Sequence, residues 1–521
     1  MSVKTNHSLI PSFPRKRESS KNNIPRSGHN PIVVPLRGGF IINWMVVPRN
    51  FGLWPRFPAV ACPRMGLSGA GKTRALFVGS IKIIVATALC CAAGIAFATP
   101  NIQHWQSASG AKVLFVEDHD IPMLDVAVTL PAGSSYDKKS GLASMTHELL
   151  DLGVEGMNED VISSSLADIG AQLGGGIDQD MASVTLRTLS HAAERDRALN
   201  IMAKVLQHPL FPDAILAREK TRVIAALKEN ETKPEFIAGR AFQKAVYGQH
   251  PYALPVSGDV AGVTAINDQD LQDFYRARYV ANRAVVAIMG DVTRKEAEAI
   301  AQQLTGELPV STVQDEIPAV TMRIQASEQR IVHPATQSHI LIGQPGMSRT
   351  DPDYFTLYVG NYILGGGGFV SRLMNEVREK RGLAYSVYSY FMPLKLPGVF
   401  QIGLQTKKEQ ADEALALVRK TVAKFVADGP TEKELQAAKQ NIIGGFPLRI
   451  DSNRKILEYL SLIGFYDLPL TYLDDFTGRV ERVTAAQIKD AFARHIHPEQ
   501  MATVIVGAPV PESKSAGAEN K

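Results

Sequence analysis

GGGGFVSRLMNEVREKRGLAYSVYSY, residues 365–390, is the stretch on which the predicted fold depends. It opens with four consecutive glycines, which are Gly365, Gly366, Gly367 and Gly368. Glycine can adopt backbone angles that are closed to other residues, so we expect a flexible loop here. Apolar residues then recur at helical spacing, namely at Phe369, Leu373 and Val377. After Gly382 the pattern alternates and is rich in tyrosine, which predicts a helix with Arg378 near its end and then a strand that carries Tyr385.

The chain from about residue 99 onward repeats one pattern of elements. Two apolar, β-rich runs at 112–117 and 124–130 are joined by a polar turn, and runs at 330–332 and 339–342 repeat this arrangement. Each half also closes with Val-Thr-Ala, a helical pattern and an apolar run that ends in glycine. We expect an α+β fold of two homologous domains of about 200 residues, each with a mixed sheet packed against helices.

The repeats and the local composition divide the chain into six predicted segments. Two prolines and mixed polar residues mark a linker between the repeats. The segments are an unstructured or untranslated extension (1–64), a signal peptide (65–98), the first α+β domain (99–305), the linker (306–325), the second α+β domain (326–507) and a disordered tail (508–521).

Residues 65–98 have the features of a secretory signal peptide. Basic residues precede an apolar run at 83–95, and an Ala-Phe-Ala cleavage signature ends at Ala98. The run is short for a membrane span, which needs about 20 residues, so a retained anchor is the lesser alternative. All three cysteines lie before residue 99, and a body without cysteine fits an oxidising compartment. We expect a periplasmic or secreted protein with no stable membrane span after signal cleavage.

Charge is divided unevenly along the chain. Residues 1–98 hold thirteen Lys and Arg against one Glu, a net charge of +12, whereas the whole chain carries +4. The remainder is therefore acidic, with a net charge of −8. An acidic body is a poor match for the phosphate backbone, so we do not expect a nucleic-acid partner.

The first helical pattern of the first half, SGLASMTHELLDLG at 140–153, points to a known family. The chain resembles the pitrilysin-like or inverzincin zinc peptidases, the H-x-x-E-H group, over essentially all of its length after residue 98. In that family two histidines bind zinc, and the glutamate between them acts as the base. Aligned on its glycines without a gap, this chain has Ser144, His147 and Glu148 at those three positions.

The resemblance also implies a third zinc ligand, a glutamate on a helix about 70 residues downstream. Aligned on Arg222 and Val223, the pattern AREKTRVIAALKE at 217–229 has Leu227 at the ligand position, with Glu229 two residues away. The zinc motif is therefore degenerate, and we expect this chain to bind no metal ion.

A different metal site on the same helix is an alternative. His147-Glu148-Leu-Leu-Asp151 is similar to H-E-x-x-H, and positions i and i+4 share a helix face. A zinc site also needs a third ligand and an open position for water, and the remaining histidines lie in unrelated segments. A solvated helix face with one histidine is the simpler interpretation.

A further match to the family is GQHPYALP at 248–255, which is similar to its Y-G-x-H-P-Y-x-x-P motif. Prolines on both sides fix the local backbone. We therefore interpret His250 and Tyr252 as turn and packing residues, which support membership of the family but not catalysis.

In the second half, the pattern that the family uses for substrate contact is intact. The spacing from Arg378 to Tyr385 is similar to the family's pair that holds the substrate backbone and steadies charge on the attacked carbonyl. A guanidinium is always cationic and offers forked donors, and a phenol donates one directed hydrogen bond. The alternative is structural: Arg378 pairs with Glu376 or Glu379, and Tyr385 is a half-buried strand residue.

The resemblance is strongest to the bacterial two-subunit subclass, in which one chain carries H-x-x-E-H and its companion carries the Arg and Tyr. It implies a non-catalytic, substrate-positioning subunit that forms half of a clam-shell chamber for unfolded peptides. Zinc is then expected in the homologous partner subunit, the glycine loop is expected to move as substrate enters, and an extended peptide is expected at a strand edge. Two alternatives stay open, a peptide-binding scaffold with no role in cleavage and a self-sufficient zinc peptidase with an atypical metal site.

Overall fold

The computed structural model describes residues 100–312 and 316–507. The predicted extension, signal peptide and tail lie outside these residues. Within them, no helix is both long enough and apolar enough to cross a membrane. The elements form two similar halves. The segment between residues 306 and 326 connects them along the chain, and its described residues form no helix or strand.

The first half contains eight strands and eight α-helices among the described residues. Its strands are β1 (Gln103–Gln106), β2 (Lys112–Glu117), β3 (Met123–Leu130), β4 (Gly153–Val154), β5 (Met157–Asn158), β6 (Gln172–Ile177), β7 (Ala182–Leu189) and β8 (Val285–Gly290). Its helices are α1 (Leu142–Leu149), α2 (Glu159–Ala167), α3 (Ala192–Gln207), α4 (Asp213–Asn230), α5 (Pro234–Tyr247), α6 (Val260–Ala265), α7 (Asp268–Arg278) and α8 (Arg294–Thr305).

The second half contains five strands and six α-helices among the described residues. Its strands are β9 (Ser327–Ile331), β10 (Gln337–Pro345), β11 (Ala384–Met392), β12 (Val399–Lys407) and β13 (Ala502–Val506). Its helices are α9 (Tyr354–Asn361), α10 (Ala411–Asp428), α11 (Glu432–Gly445), α12 (Asn453–Phe465), α13 (Tyr472–Arg482) and α14 (Ala485–His495). Two π-helical segments, Tyr362–Gly366 and Met374–Glu379, lie between α9 and β11.

The two halves contain the same sheet. The strand order is β1-β2-β8-β3-β7-β6 in the first half and, read from the matching edge, β9-β13-β10-β12-β11 in the second. In each half the first long strand pairs in parallel with the last, β2 with β8 and β9 with β13, and the other neighbours are antiparallel. Apart from β1, every strand of the first sheet has a counterpart at the same place in the second. The predicted duplication and the α+β fold class are confirmed.

The predicted strand runs differ from the observed strands mainly at the ends. β2 has the predicted bounds, and β3 starts one residue early, at Met123. β9 is displaced toward the N-terminus, because its register is set by parallel pairing with β13. β10 is longer than predicted, because it lies in the middle of the sheet and pairs along its whole length with β12.

Each half supplies one helix to the sheet of the other half. α12 packs on β2, β3 and β8, where a Cβ on Gly464 would come within 2.4 Å of Val285 and 2.7 Å of Leu114. α5 packs on β10 and β13, where the buried ring of Phe242 lies against Gly343. Because β2, β3 and β8 are the counterparts of β9, β10 and β13, the exchange is nearly symmetric. Apolar cores therefore contain residues of both halves, which ties the halves together.

A buried carboxylate also joins the two halves. Asp180, in the turn between β6 and β7, accepts hydrogen bonds from the hydroxyl of Tyr252 at 2.6 Å, the backbone N–H of Lys395 at 2.6 Å and the hydroxyl of Tyr466 at 3.0 Å. Burial raises the pKa of Asp180 above its ordinary value despite these donors. The backbone N–H of Tyr252 also donates to His250 Nδ1 at 3.1 Å. The predicted turn and packing roles of His250 and Tyr252 are confirmed.

Candidate functional site

The four glycines of the run differ in their surroundings. Gly365 is buried, and a Cβ there would lie 2.3 Å from the Oγ of Ser389 and 2.5 Å from its backbone nitrogen. A Cβ on Gly366 or Gly367 would likewise approach the preceding turn, to 2.8 and 2.7 Å. Gly368 has open space around it but a left-handed φ of +62°. The first three positions therefore need glycine for close approach and the fourth for its backbone angle.

This run forms compact helical turns rather than the open loop that the sequence predicts. It contains the end of the π-helical segment Tyr362–Gly366 and the 3₁₀ turn Gly368–Val370. Ser389 of β11 packs directly against it. π-helical turns are rare and are frequent at functional sites, so the backbone itself marks this region.

The helix that follows carries Arg378 at its C-terminal end, as predicted. Its hydrogen bonding is π-helical over Met374–Glu379, and the side chains of Leu373 and Val377 are fully buried beneath it. Gly382 ends the helix with a φ of +61°, and β11 begins two residues later. The buried face therefore fixes the direction from which Arg378 leaves the helix.

Arg378 lies between two exposed aromatic rings. Its guanidinium carbon is 4.8 Å from the ring centre of Phe369 and 5.3 Å from that of Tyr385. Phe369, predicted on the buried face of the helix, is instead 62% exposed, because it belongs to the 3₁₀ turn of the glycine run. Cation–π contacts of this kind hold a guanidinium in place and leave its N–H groups available.

The acidic neighbours of Arg378 do not engage it through close hydrogen bonds. Glu379 is 3.6 Å from Arg378 Nε, which is too long for a hydrogen bond. Glu376 instead accepts hydrogen bonds from Lys380 at 2.6 Å and Arg381 at 3.0 Å, and these lower its pKa. The Arg378 guanidinium is therefore held by two rings and by a longer ion pair with Glu379, which is the part of the structural alternative that the structure contains.

Tyr385 is turned outward by a β-bulge. Ala384 pairs with Thr406 and Ser386 pairs with Gln405, so Tyr385 is an extra residue with no partner on β12. Its side chain is 80% exposed and is not the half-buried strand residue of the structural alternative. Bulges commonly re-aim a side chain beside a functional site. Arg378 and Tyr385 thus present forked cationic donors and a phenol hydroxyl on one surface, a combination suited to a peptide carbonyl or an oxyanion.

The first-half positions lie on α1, whose start is fixed by a buried carboxylate. Asp137 accepts hydrogen bonds from two backbone N–H groups of the first turn, at 2.8 and 2.7 Å. Burial raises the pKa of Asp137 to about 7. The helix carries Ser144, His147 and Glu148, and Ser144 Oγ lies 3.5 Å from Glu148 Oε1. The serine hydroxyl therefore faces the carboxylate of Glu148.

Glu148 is engaged in ion pairs with α4. Its Oε2 accepts a hydrogen bond from Arg222 Nη2 at 2.8 Å, and Arg222 Nε donates to Glu219 Oε2 at 2.5 Å. Arg218 donates to the other oxygen of Glu219 at 2.8 Å. Burial raises the pKa of Glu148, whereas the two arginines bring the pKa of Glu219 below its ordinary value against the effect of its own burial. A guanidinium therefore places a fixed positive charge between the carboxylates of α1 and α4.

His147 is partly buried and has a lowered pKa. Its Nδ1 is buried and makes no hydrogen bond to any described residue, and burial lowers the pKa of the imidazole to about 4. Leu227, at the position of the third family ligand, is buried and apolar. These two positions pack rather than face a shared ligand.

The residues present do not match the donor set that zinc uses. Tetrahedral zinc sites take imidazole, thiolate or carboxylate ligands that converge on one point, whereas here a hydroxyl, a leucine and an arginine-bound carboxylate occupy the family positions. Among the described residues, the group of three His, Cys, Asp or Glu side chains close enough to share a metal ion is Asp351, Asp353 and His495. It lies in the second half, and Asp353 is already bound by Arg494 at 2.6 Å. The alternative site based on His147 and Asp151 gains no third ligand from the described residues.

From the sequence, Arg222 serves only to align the downstream helix with the family's third-ligand pattern. Glu219 and Arg222 are three residues apart on a helix, a spacing that brings side chains together, so their pairing could have been predicted. The contact with Glu148 joins residues 74 positions apart and has no local signal.

Comparisons with known proteins agree with this geometry. Residues 112–260 match the family model described as Insulinase (Peptidase family M16), and residues 265–442 match the one described as Peptidase M16 inactive domain. A solved structure, the peptidase M16 inactive domain from Pseudomonas fluorescens, is 39% identical, with a TM-score of 0.76 over 79% of this chain and 99% of that one. The chain belongs to peptidase family M16, the insulinase-like family.

Two further relatives are more distant. The Helicobacter pylori protein named Non-peptidase homolog YmxG is 25% identical over 76% of this chain and 91% of its own length. The Bacillus subtilis protein named Uncharacterized zinc protease YmxG is 23% identical over 78% of this chain and 98% of its own length. Relatives of this chain therefore carry both peptidase and non-peptidase names.

Proposed function

We propose that this chain is a non-catalytic, substrate-positioning subunit that degrades peptides together with a homologous partner bearing H-x-x-E-H. The observation that carries the proposal is the pair of the partly buried Arg378 and the exposed Tyr385, held by a π-helical turn and a β-bulge, whose side chains make no hydrogen bond to any described residue. The partner supplies the zinc ion, which activates water and polarises the scissile carbonyl.

The roles of the pair follow from their chemistry. The forked N–H groups of Arg378 hold a carbonyl of the substrate backbone and stay charged at every working pH. The hydroxyl of Tyr385 donates to the carbonyl oxygen as negative charge develops on it, and such a donor typically contributes about 3 kcal/mol to the transition state. Both groups act only where the substrate is held against the partner's site.

The first half supports the same division of labour. With a hydroxyl at Ser144, Glu148 bound to Arg222 and Leu227 buried, the three ligand positions of the family offer no set of free zinc donors. We propose that this chain takes up no zinc of its own and that the glycine run adjusts as substrate enters. A periplasmic or secreted location is part of the proposal, and it rests on the signal-like sequence at 65–98.

The test is reconstitution with an H-x-x-E-H-bearing homologue from the same source. The chain alone is expected to be inactive and to contain no stoichiometric zinc, and the mixture is expected to cleave an unfolded peptide. Arg378→Ala is expected to lower that rate by about 100-fold, the usual effect of removing one oxyanion-stabilising donor. Size-exclusion chromatography is expected to show the pair still assembled.

Arg381→Ala is the matched control. Arg381 is an exposed arginine three residues further on, which pairs with Glu376 rather than with an aromatic ring. Its removal is expected to leave the rate unchanged. Equal rates for wild type and Arg378→Ala would favour a scaffold, and stoichiometric zinc with activity in the isolated chain would favour a self-sufficient peptidase.

A further inference from the structure

A large cleft begins next to Tyr385, on the following residues of the same strand. It has a volume of about 1190 Å³ and lies between α5 of the first half and the face of the second sheet. Its floor includes Ser386, Tyr388 and Tyr390 of β11 and Gln405 of β12. Pockets for drug-sized ligands occupy roughly 300–1,000 Å³, so this cleft has room for a longer molecule.

The floor of the cleft is aromatic and flat. Tyr388 lies opposite Gly403 in the register of β11 and β12, and a Cβ on Gly403 would come within 2.5 Å of the tyrosine ring. Because Gly403 has no side chain, the ring of Tyr388 can lie flat across the neighbouring strand. The ring of Tyr390 lies beside it, with centroids 6.0 Å apart and planes inclined by 12°. Such a surface offers apolar contact area at little cost in side-chain entropy.

The walls of the cleft carry unused amide groups. Five lining glutamines make no side-chain hydrogen bond to any described residue, and they are Gln179, Gln243, Gln249, Gln329 and Gln405. A carboxamide both donates and accepts, as a peptide bond does. The charged lining residues are two acids and two bases, so the cleft favours neither sign. This chemistry matches a polypeptide better than a phosphate-bearing or strongly ionic ligand.

We propose that this cleft binds an extended, uncharged segment of the substrate peptide that flanks the bond held at Arg378 and Tyr385. The distance from Ser386 to Tyr390 along the strand is about 13 Å, which corresponds to about four residues of extended peptide. Apolar side chains of that segment lie on Tyr388 and Tyr390, and its backbone amides face the glutamines. The position of this segment relative to the cleaved bond rests on the proposed function, whereas the chemical match between the peptide and the cleft does not.

Binding to the full chain without its partner tests this inference. The probe is a fluorescein-labelled, net-uncharged peptide of about twelve residues that alternates Gln or Ser with Leu, long enough to span about 40 Å when extended. Gln405→Trp places a bulky ring in the cleft and is expected to weaken binding about tenfold or more in fluorescence anisotropy. Gln269→Trp, on an exposed glutamine of α7 that does not line the cleft, is the matched control and is expected to bind like wild type.

Disulfide capture of the probe tests the same inference if Gln405→Trp disturbs folding. The three cysteines of the chain precede residue 99, so Gln405→Cys adds the only thiol to the body. A probe whose one central cysteine is activated as a 2-thiopyridyl mixed disulfide is expected to exchange with the thiolate of Gln405→Cys, releasing thiopyridone, much faster than with that of Gln269→Cys. Equal capture rates, or no binding of the probe to the full chain, would overturn the proposal.

The outcomes separate this inference from the proposed function. If Gln405→Trp loses the probe while Arg378→Ala leaves the partner's cleavage rate intact, the cleft stands and the positioning role fails. If Arg378→Ala slows cleavage while Gln405→Trp binds the probe normally, the positioning role stands and the cleft proposal fails.

Discussion

Two regions of the molecule differ in how their polar groups are used. The first region is α1, which carries the zinc-motif positions, and the second is the helix and strand that carry Arg378 and Tyr385. On α1, Glu148 is bound by Arg222, and the Nδ1 atom of His147 is buried without a hydrogen bond to any described residue. In the second half the guanidinium and the phenol are held by packing and by backbone geometry, with their donors available. The first region pairs its carboxylate through a hydrogen bond within the chain, whereas in the second region the side chains of Arg378 and Tyr385 make no hydrogen bond to any described residue.

The difference follows from the energetics of burial. A charged group that leaves water needs a partner, and within one chain the partner is another side chain. A guanidinium that is only partly buried, as that of Arg378 is, keeps part of its hydration and needs less compensation from a partner. We propose that the π-helical turn and the β-bulge position these donors for a group outside the chain.

The largest expected effect is on the turn that supports the second region. Gly365→Ala would drive a methyl group into the Oγ and backbone nitrogen of Ser389 on β11. Because one of these atoms is backbone, the strand itself must move, and we expect the free energy of unfolding to fall by about 3 kcal/mol. Urea denaturation followed by circular dichroism measures this loss.

Two other glycines serve as controls for that substitution. Gly368→Ala meets no atoms but has a left-handed backbone, so a loss of about 1 kcal/mol is expected. Gly444→Ala, in α11 with open space and ordinary backbone angles, is expected to gain about 0.5 kcal/mol. If all three variants lose stability equally, close packing is not the reason for glycine at position 365.

The next effect is a pH dependence that arises in the first region. The pKa of His147 is about 4 in the folded chain and 6.5 when unperturbed. Between these values the unfolded chain binds a proton that the folded chain does not, so stability falls as pH falls from about 6.5 to about 4 and then levels off. The contribution of this one group is about 3 kcal/mol.

Comparing wild type with His147→Gln isolates this contribution. The buried carboxyl groups of Asp137 and Asp178 have raised pKa values and change stability in the opposite direction over the same range, but they are common to both proteins. The stability advantage of wild type over the variant is therefore expected to shrink as pH is lowered from 7 to 4. A constant difference across this range would show that His147 is protonated in the folded chain.

Arg222→Ala tests whether the ion pairs close the first region. Its removal leaves Glu148 and the nearly buried Glu219 facing each other without a cation between them. We expect a loss of about 1–2 kcal/mol, less than for a fully buried pair because the arginine side chain is 44% exposed. Arg454→Ala, which removes an exposed helical pair with Glu458, is the control and is expected to cost less than about 0.5 kcal/mol. Equal losses for the two variants would show that the first region is not held by its charges.

Local patterns predicted the elements that local forces determine. The duplicated strand and helix order, the position of Arg378 at a helix end and the glycine at 382 all followed from periodicity and helix termination. Strand ends were less accurate, because the register of β9 and the length of β10 depend on partners from distant parts of the chain. The exchange of α5 and α12 between the halves has no sequence signal, since each helix is amphipathic whichever sheet it covers.

The candidate site was predictable in its residues but not in its geometry. The resemblance to a family selected Arg378 and Tyr385, yet the bulge that turns Tyr385 outward depends on how β11 aligns with β12. Glycine at 365–367 indicated flexibility from sequence, whereas close approach to β11 and the preceding turn is the reason for it. Contacts between residues far apart in the chain decided both points.

Tyr385→Phe is expected to have the smallest effect on stability, so it separates a role in folding from a role in substrate contact. Its hydroxyl is exposed and makes no hydrogen bond to any described residue, so the free energy of unfolding is expected to change by less than about 0.5 kcal/mol. The same loss of a hydroxyl at Tyr252 removes a buried hydrogen bond to Asp180 and is expected to cost about 1–3 kcal/mol. A phenol that contributes nothing to folding but whose loss slows peptide cleavage in the reconstituted pair acts on the substrate. If Tyr385→Phe instead destabilises the chain as much as Tyr252→Phe does, the second region is a packing site like the first.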